Sequence, residues 1–527
     1  MNKITLLFIT LIFVTFSNLY SQNIPLSNEV SYYFEQQNIR EQDFHSTIKP
    51  FRQISAKTLK DTSFYSINNT RKDKFFQKFY EHNLIENEKN TLSLNPIFSS
   101  ILNFDKTGKK ILPDFKAGLS FKGNHFKNKL FYNADIFFGN LKLSDFQRVF
   151  TDSFSILAGH GKYLSKSETG TVNYLCTGFE LTYKPANYID FSIGNGRQFL
   201  GNGYRSLFLS DNSGSYPYFK TEVTIKKIKY LWLVAKISDF NIISGSKFYE
   251  SPEDKFLSTH YLSLNITKNI NFNFFEAIIS SPNDEKGRFG INPHYLNPVI
   301  FYRPVEFATG SDGNALIGAG LNIKIFNEYI LYSQFILDEF IFAHIKARDR
   351  WWGNKIGVQA GAKAYNCFGI KNLYAQGEIN AVRPYTYTHQ KSNFNYGNNR
   401  QPLAHPIGAN FYEILGILRY DASKISYQAK FILAQTGLDT DTMSYGQDIY
   451  KSYRLRVNSA EYKIADGDKY VFFYSEFKTS YKLSTDNRFR FEAGFAIRKL
   501  FKNISDTGDF YIFAGFSFKI YDKDYFL

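Results

Sequence analysis

The chain has 527 residues, a formal charge of +15, 55 Phe, 38 Tyr, 3 Trp and two cysteines. Abundant rings with moderate charge exclude a disordered chain. A helical membrane protein would need several apolar runs of about 20 residues, and only the N-terminus approaches one. Cys176 and Cys367 are too few and too far apart for a disulfide framework or a four-ligand zinc site.

At the start, Lys3 precedes the apolar stretch Ile4 to Phe16, and Ser17 to Gln22 is a small or polar exit. This pattern predicts a secretory signal peptide over residues 1–21. Export removes nucleic acid as the counter-charge of a basic chain and leaves outer-membrane lipid, lipopolysaccharide and acidic glycans. Residues 22–90 are polar, with clusters at helical spacing. Phe75, Phe76, Phe79, Tyr80, Leu84 and Ile85 make one face, and Val30, Tyr33 and Phe34 another. Short amphipathic helices are expected, forming a periplasmic helical or plug region beneath or inside the mouth of the larger domain at 91–527.

From 91 to 527 the period becomes two. Leu175, Thr177, Phe179, Leu181 and Tyr183 share a face opposite Cys176, Gly178, Glu180 and Thr182. The same alternation returns in Ile317–Ile325, Ile356–Ala364, Phe489–Arg498 and Phe510–Ile520, where Phe516 should meet lipid and Ser517 water. Such strands suit a soluble sandwich or a barrel in lipid. Aromatic outer faces, alternation of short turns with long polar loops, and the export signal select an all-β fold, a transmembrane antiparallel β-barrel. Short turns are expected near 123–127, 184–187, 226–227, 267–269, 326–329, 368–371, 420–423 and 484–487, with longer segments at roughly 139–173, 197–216, 240–256, 281–315, 339–353, 384–407 and 437–466. With a first strand at 92–104 and a last at 509–520, the count is about 18 strands, even as in bacterial single-chain barrels. Both termini then lie in the periplasm.

The inward charges Glu180, Asp190, Lys220, Glu222, Lys324, Lys363, Glu378, Arg490 and Glu492 mix both signs, which suits internal ion pairing or a weakly selective pore. In Gly194–Arg205 the triplet Gly-Asn-Gly occurs twice, without a dinucleotide or P-loop fingerprint. It reads either as a loop whose backbone N–H groups, with Asn195, Arg197, Asn202, Tyr204 and Arg205, hold an anionic or hydroxyl-rich ligand, or as tight turns in a constriction loop. A second cluster, 297–306, offers Arg303 and Glu306. A third, Asp349, Arg350, Trp351 and Trp352, suits sugar rings in an outer loop or an interfacial girdle. His389 and His405 read as structural. No motif indicates catalysis, a metal or a cofactor.

The runs DFHSTIKPF (43–51), GNGYRSLFLSD (201–211), NPVIFYRPVEF (297–307), VRPYTYTHQ (382–390) and QPLAHPIGANF (401–411) resemble gliding-motility-associated proteins of the RemB type from Bacteroidetes. More distantly they resemble the Wzi capsule-assembly family of outer-membrane barrels. The resemblance implies an 18-stranded barrel closed by periplasmic helices, with surface-polysaccharide attachment as the function in the Wzi branch. The terminal Leu527 departs from the usual terminal aromatic. The expected function is a non-enzymatic binder or organiser of surface polysaccharide (capsule or exopolysaccharide attachment) supporting gliding motility; the alternative is an outer-membrane diffusion channel or solute transporter. Expected partners are outer-membrane lipid and lipopolysaccharide, surface polysaccharide, the barrel assembly machinery, and motility or adhesin proteins.

Overall fold

A computed structural model describes residues 31–32, 34–36, 39, 45–51, 82–87, 90–126, 129–239, 253–282, 290–299, 301–302, 304–305, 313–483, 489–502 and 506–518. The signal peptide, Val30, Tyr33, the Phe75–Tyr80 face, Arg303 and Glu306 lie outside the described residues.

Eighteen antiparallel strands close into a barrel. They are β1 (Asn90–Asp105), β2 (Lys110–His125), β3 (Leu130–Lys142), β4 (Thr171–Ala186), β5 (Ile189–Gly196), β6 (Tyr216–Ile225), β7 (Ile228–Asp239), β8 (Glu253–Asn265), β9 (Ile270–Ser280), β10 (Asn314–Ile325), β11 (Tyr329–Glu339), β12 (Lys355–Tyr365), β13 (Leu373–Val382), β14 (Phe411–Ala422), β15 (Ile425–Leu438), β16 (Asp468–Lys482), β17 (Phe489–Lys502) and β18 (Thr507–Phe518). Seven of the expected short turns fall where alternation breaks, at one end of the barrel, and the described long segments leave from the other; the turn expected at 484–487 lies outside the described residues. The outer faces carry exposed Phe98, Leu119, Leu175, Phe179, Leu331, Phe431, Phe495 and Ile512. The opposite faces bury Glu180, Lys220, Glu222, Lys363, Glu378, Arg490 and Glu492. Apolar outside and charged inside is the inverse of a soluble fold and the arrangement that hydrocarbon demands.

The seam is made in two pieces. β18 pairs with β1 over Ser100–Asp105, and the strand His82–Asn87 pairs with the other end of the same edge, Asn90 to Leu94. Pro96, which has no N–H for a ladder, falls between them. Leu84 and Ile85 are therefore in a strand and not on the expected helix face, because the open edge of β1 needs a partner in lipid.

Other N-terminal residues lie inside the barrel. Tyr32 packs between Tyr365 and Tyr374 (ring centroids 5.7 and 4.8 Å). Glu35 bridges Lys49 (2.8 Å) and Lys363 (2.5 Å). Ile48–Lys49 pairs with Phe199–Leu200, and Thr47 donates to Asn273 Oδ1 at 3.1 Å.

The interior is also drier than a two-signed lumen suggests. On β7, Leu231, Leu233, Ala235 and Ile237 point inward and pack with Leu257, Phe275, Leu316 and Ile336 of neighbouring strands. Against them lie Leu200, Leu207, Phe208 and Leu209 from the long segment after β5, and Tyr387, Tyr396 and Leu403 from the segment after β13. These two long segments fold into the barrel and give it a hydrophobic core.

One long segment goes the other way. After β9, the described residues of 292–305 lie against the outer wall. Glu276, on the outward face, accepts the backbone N–H groups of Phe301 (2.7 Å) and Tyr302 (2.6 Å). The Tyr302 ring stacks on outward-facing His260 at 4.2 Å, and Tyr230 donates to the Pro298 carbonyl at 2.7 Å. Val299 and Phe301, 61% and 60% exposed, form the new outer surface.

Side-chain orientation and buried charge can each be tested. Ile512→Arg, at mid-strand on the lipid face, should lose about 2–4 kcal/mol, and Phe516→Arg, nearer the strand end, less. The folded fraction on unheated gels should rank wild type, then Phe516→Arg, then Ile512→Arg; the reverse order would misplace the belt. Ser517→Arg is not the neutral control that alternation suggests, since Ser517 is buried opposite the fully buried Arg490. The charge test concerns Glu35. Burial pushes its carboxyl up, but Lys363 and Lys49 outweigh this and hold it at about 2, below its ordinary 4.5. A depressed carboxylate contributes stability that is present above about 4.5 and lost as pH falls through about 2. Backbone protection at 45–51 by hydrogen exchange should therefore hold at pH 5 and collapse toward pH 2.

Candidate functional site

The segment after β5 crosses the barrel. Lys220 on β6 donates to Gln198 Oε1 at 3.1 Å. Gln334 on β11 accepts the Leu207 N–H at 2.7 Å. Glu378 on β13 accepts the N–H groups of Tyr204 (2.7 Å) and Arg205 (3.2 Å). Arg205 itself lies 3.5 Å from Glu413 on β14, whose other oxygen meets His405 Nε2 at 2.8 Å. The second Gly-Asn-Gly triplet is explained by this crossing: a Cβ on Gly203 would sit 2.6 Å from Glu378 Oε2, and one on Gly201 2.2 Å from Gln334 Nε2. Glycine lets the backbone reach these side chains.

Above the crossing lies a cavity of about 450 Å³ at the long-loop end. One wall is α1 (Asp145–Phe154), a helix inside the segment after β3. Ser144 begins it, its backbone N–H donating to Gln147 Oε1 at 3.0 Å, half of a capping box. Phe146, Phe150 and Phe154 follow at steps of four and turn one aromatic stripe into the cavity. The other walls are Tyr204, Arg205, Asp211 and Asn212 from the crossing segment, Gln447, Asp448 and Tyr450 from the segment after β15, and Arg400. Arg400 is at the tip of a two-residue hairpin between Gly397–Asn398 and Gln401–Pro402. Asn399 (φ 51°) and Arg400 (φ 57°) are both left-handed, as a type I′ turn requires. The Arg400 guanidinium lies between the rings of Phe154 (4.7 Å) and Tyr450 (4.4 Å). Arg498 from β17 covers Phe146 at 3.7 Å and reaches Asp509 at 3.4 Å.

Of the residues expected at a site, Tyr204 and Arg205 line this cavity. Arg205 is buried and paired rather than displayed on an outer loop, because the segment folds inward onto Glu378 and Glu413. Arg197 is buried too, donating to the Asp211 carbonyl at 3.1 Å, and Asn202 donates to Asn322 at 2.8 Å inside the barrel. Asn195 points to the outer face and donates to the Thr177 carbonyl at 2.9 Å. Of the 297–306 cluster, the described residues 297–299 and 301–302 belong to the outer-wall segment, away from the cavity, and Arg303 and Glu306 lie outside the described residues. Asp349, Arg350, Trp351 and Trp352 are at the long-loop rim: Asp349 meets His344 Nδ1 at 2.5 Å, Trp351 stacks on His344 at 4.6 Å, Arg350 is exposed, and Trp352 is wedged among Tyr453, Tyr385 and Arg456. Sequence reading missed α1 and Arg400. The Ser144–Gln147 pair followed by Phe at steps of four was the signal for α1; Arg400, in a polar loop, offered none.

The Glu413 carboxylate holds the crossing segment in place. Glu413→Ala would remove the carboxylate that faces the buried Arg205 charge, a loss of about 3–5 kcal/mol. The temperature at which the folded gel band disappears should fall clearly, and less in Glu413→Gln, which keeps the hydrogen bonds to Asn380 and His405.

Neither a protein-family model nor a curated protein matches the chain. Solved structures do. Wzi of Escherichia coli, an outer-membrane protein involved in group 1 capsule assembly and a carbohydrate-binding β-barrel, aligns at 11% identity with a TM-score of 0.54, over 94% of this chain and 98% of Wzi. OpdK of Pseudomonas aeruginosa, solved with vanillate, aligns at 9% identity and a TM-score of 0.44, over 81% of this chain and 98% of OpdK. OccD3 of the same species gives 10% and 0.42, over 84% of this chain and 93% of its own. The Wzi likeness is one of fold. These comparisons lend no support to the gliding-motility assignment, and the chain shares the architecture of Wzi.

Proposed function

We propose that this protein is a non-enzymatic outer-membrane barrel that holds surface polysaccharide at its long-loop end and does not conduct solutes. The observation that carries this reading is the crossing of the lumen by residues 197–211, bonded to β6, β11, β13 and β14 and packed into a dry interior core. A diffusion channel needs a continuous wet path, and the described segments occupy where it would run. Above the blockage, an aromatic stripe beside guanidinium and amide groups offers stacking faces and hydrogen-bond donors, the chemistry of a sugar ring. The likeness to a carbohydrate-binding barrel supports the same reading. Residues 1–21 act as the export signal, residues 22–90 enter from the periplasm, and both termini stay there. Assembly machinery inserts the barrel among lipid and lipopolysaccharide. Gliding, which the RemB-type resemblance implies, would be served through the anchored polysaccharide, with motility or adhesin proteins as further partners.

Planar-bilayer recording tests the closed barrel. The full chain should show no steady porin-like conductance, and a deletion of residues 198–209 that still inserts should open one. Steady conductance in the wild type would favour the channel. In cells, loss of the protein should release surface polysaccharide into the medium.

A further inference from the structure

Arg400 is a cavity residue whose charge the described part of the fold leaves unanswered. Arg205 has Glu413 and Arg498 has Asp509. The Arg400 guanidinium makes no hydrogen bond or ion pair with any described residue, and its Nε is buried without an acceptor. It is nonetheless held in place. The rings of Phe154 and Tyr450 lie 4.7 and 4.4 Å from its guanidinium, and the hairpin that presents it is fixed by Asn399 N–H donating to the Ser238 carbonyl at 2.8 Å and Ser238 N–H donating to Asn398 Oδ1 at 3.1 Å. A left-handed backbone is uncommon for arginine and is kept here. With two rings against the guanidinium and its Nε buried, the donors left to a ligand are the N–H groups of the two Nη atoms, which match a planar carboxylate in a two-point contact. The two carboxylates in the lining, Asp211 and Asp448, form no ion pair with Arg400. Asp448 instead accepts the Tyr450 N–H at 2.9 Å.

We infer that Arg400 is the carboxylate-reading element of a subsite for a uronic acid unit. The Phe146–Phe150–Phe154 stripe and Tyr204 would stack the sugar ring, while Arg400 takes the charge. The inference rests on the glycan-holding reading and narrows it to acidic polysaccharide. A solvated arginine and one that binds a carboxylate differ in their response to ligand charge.

Calorimetric titration of the purified full-length barrel in detergent with trigalacturonate and with its methyl ester separates the two, since the ester keeps the rings and hydroxyls and removes the charge. The free acid should bind about tenfold to a hundredfold tighter, the range of a charged hydrogen bond. Arg400→Gln should erase that preference while leaving residual binding of both probes and unchanged heat-modifiable migration, and Arg400→Lys should restore it only in part. Equal affinity for acid and ester, or an Arg400→Gln variant indistinguishable from wild type, overturns the subsite and leaves polysaccharide holding intact. No binding of the free acid overturns it as well. In that event, polysaccharide retention by wild-type cells decides whether the broader reading falls with it.

Discussion

Hydrocarbon offers no hydrogen-bond partner, so every strand edge that meets it must find another strand. That constraint sets the shape of this molecule. The ring of eighteen strands closes only when β18 reaches Ser100–Asp105 of β1, and the short strand at 82–87 covers the part of the same edge nearer the short-turn end. A ring of this perimeter encloses more space than its own inward side chains fill. The space must hold water or chain. Here chain fills much of it, and the N-terminal residues, the crossing segment and the hairpin that carries Arg400 are all consequences of that choice.

Filling a barrel from within sets a second problem, because the wall presents charges to groups that arrive by backbone. The solution is repeated. Glu378 takes two backbone N–H groups of the crossing segment, Gln334 takes another, and Glu35 joins two lysines. Buried ions of this kind contribute little net stability over apolar packing, yet each is expensive to leave alone. They therefore act as register marks. The apolar contacts of Phe208 with Phe275 at 4.8 Å and Leu207 with its neighbours supply the burial, and the ions decide which residue goes where.

How much of this could be read in the sequence divides along one line. The wall was legible, since alternation in lipid is a local pattern and its interruptions mark the turns. The contents were not, because whether a long loop turns inward depends on which inward positions stay unfilled, a property of the closed ring. Some local traces existed. The β7 sequence Ile228–Asp239 is apolar on both faces over Tyr230 to Ala235, as a strand buried from two sides must be. The paired triplets at 194–196 and 201–203 marked a close approach, and only its target was missing. The aromatic spacing of α1 was visible, while the partner that gives it meaning, Arg400, is about 250 residues away in sequence and joined to it only by the fold.

The outer-wall segment at 292–305 carries a different consequence. By placing Tyr302 on His260 and two backbone N–H groups on Glu276, it makes the wall two chains thick along β7 to β9 and a single chain thick where outer-face residues such as Phe431 and Phe495 are exposed. The molecule is thus not interchangeable about its own axis. Acyl chains meet a ridge on one side, and a neighbour approaching within the membrane plane meets a different surface at each compass bearing. A barrel with such a ridge has a front and a back.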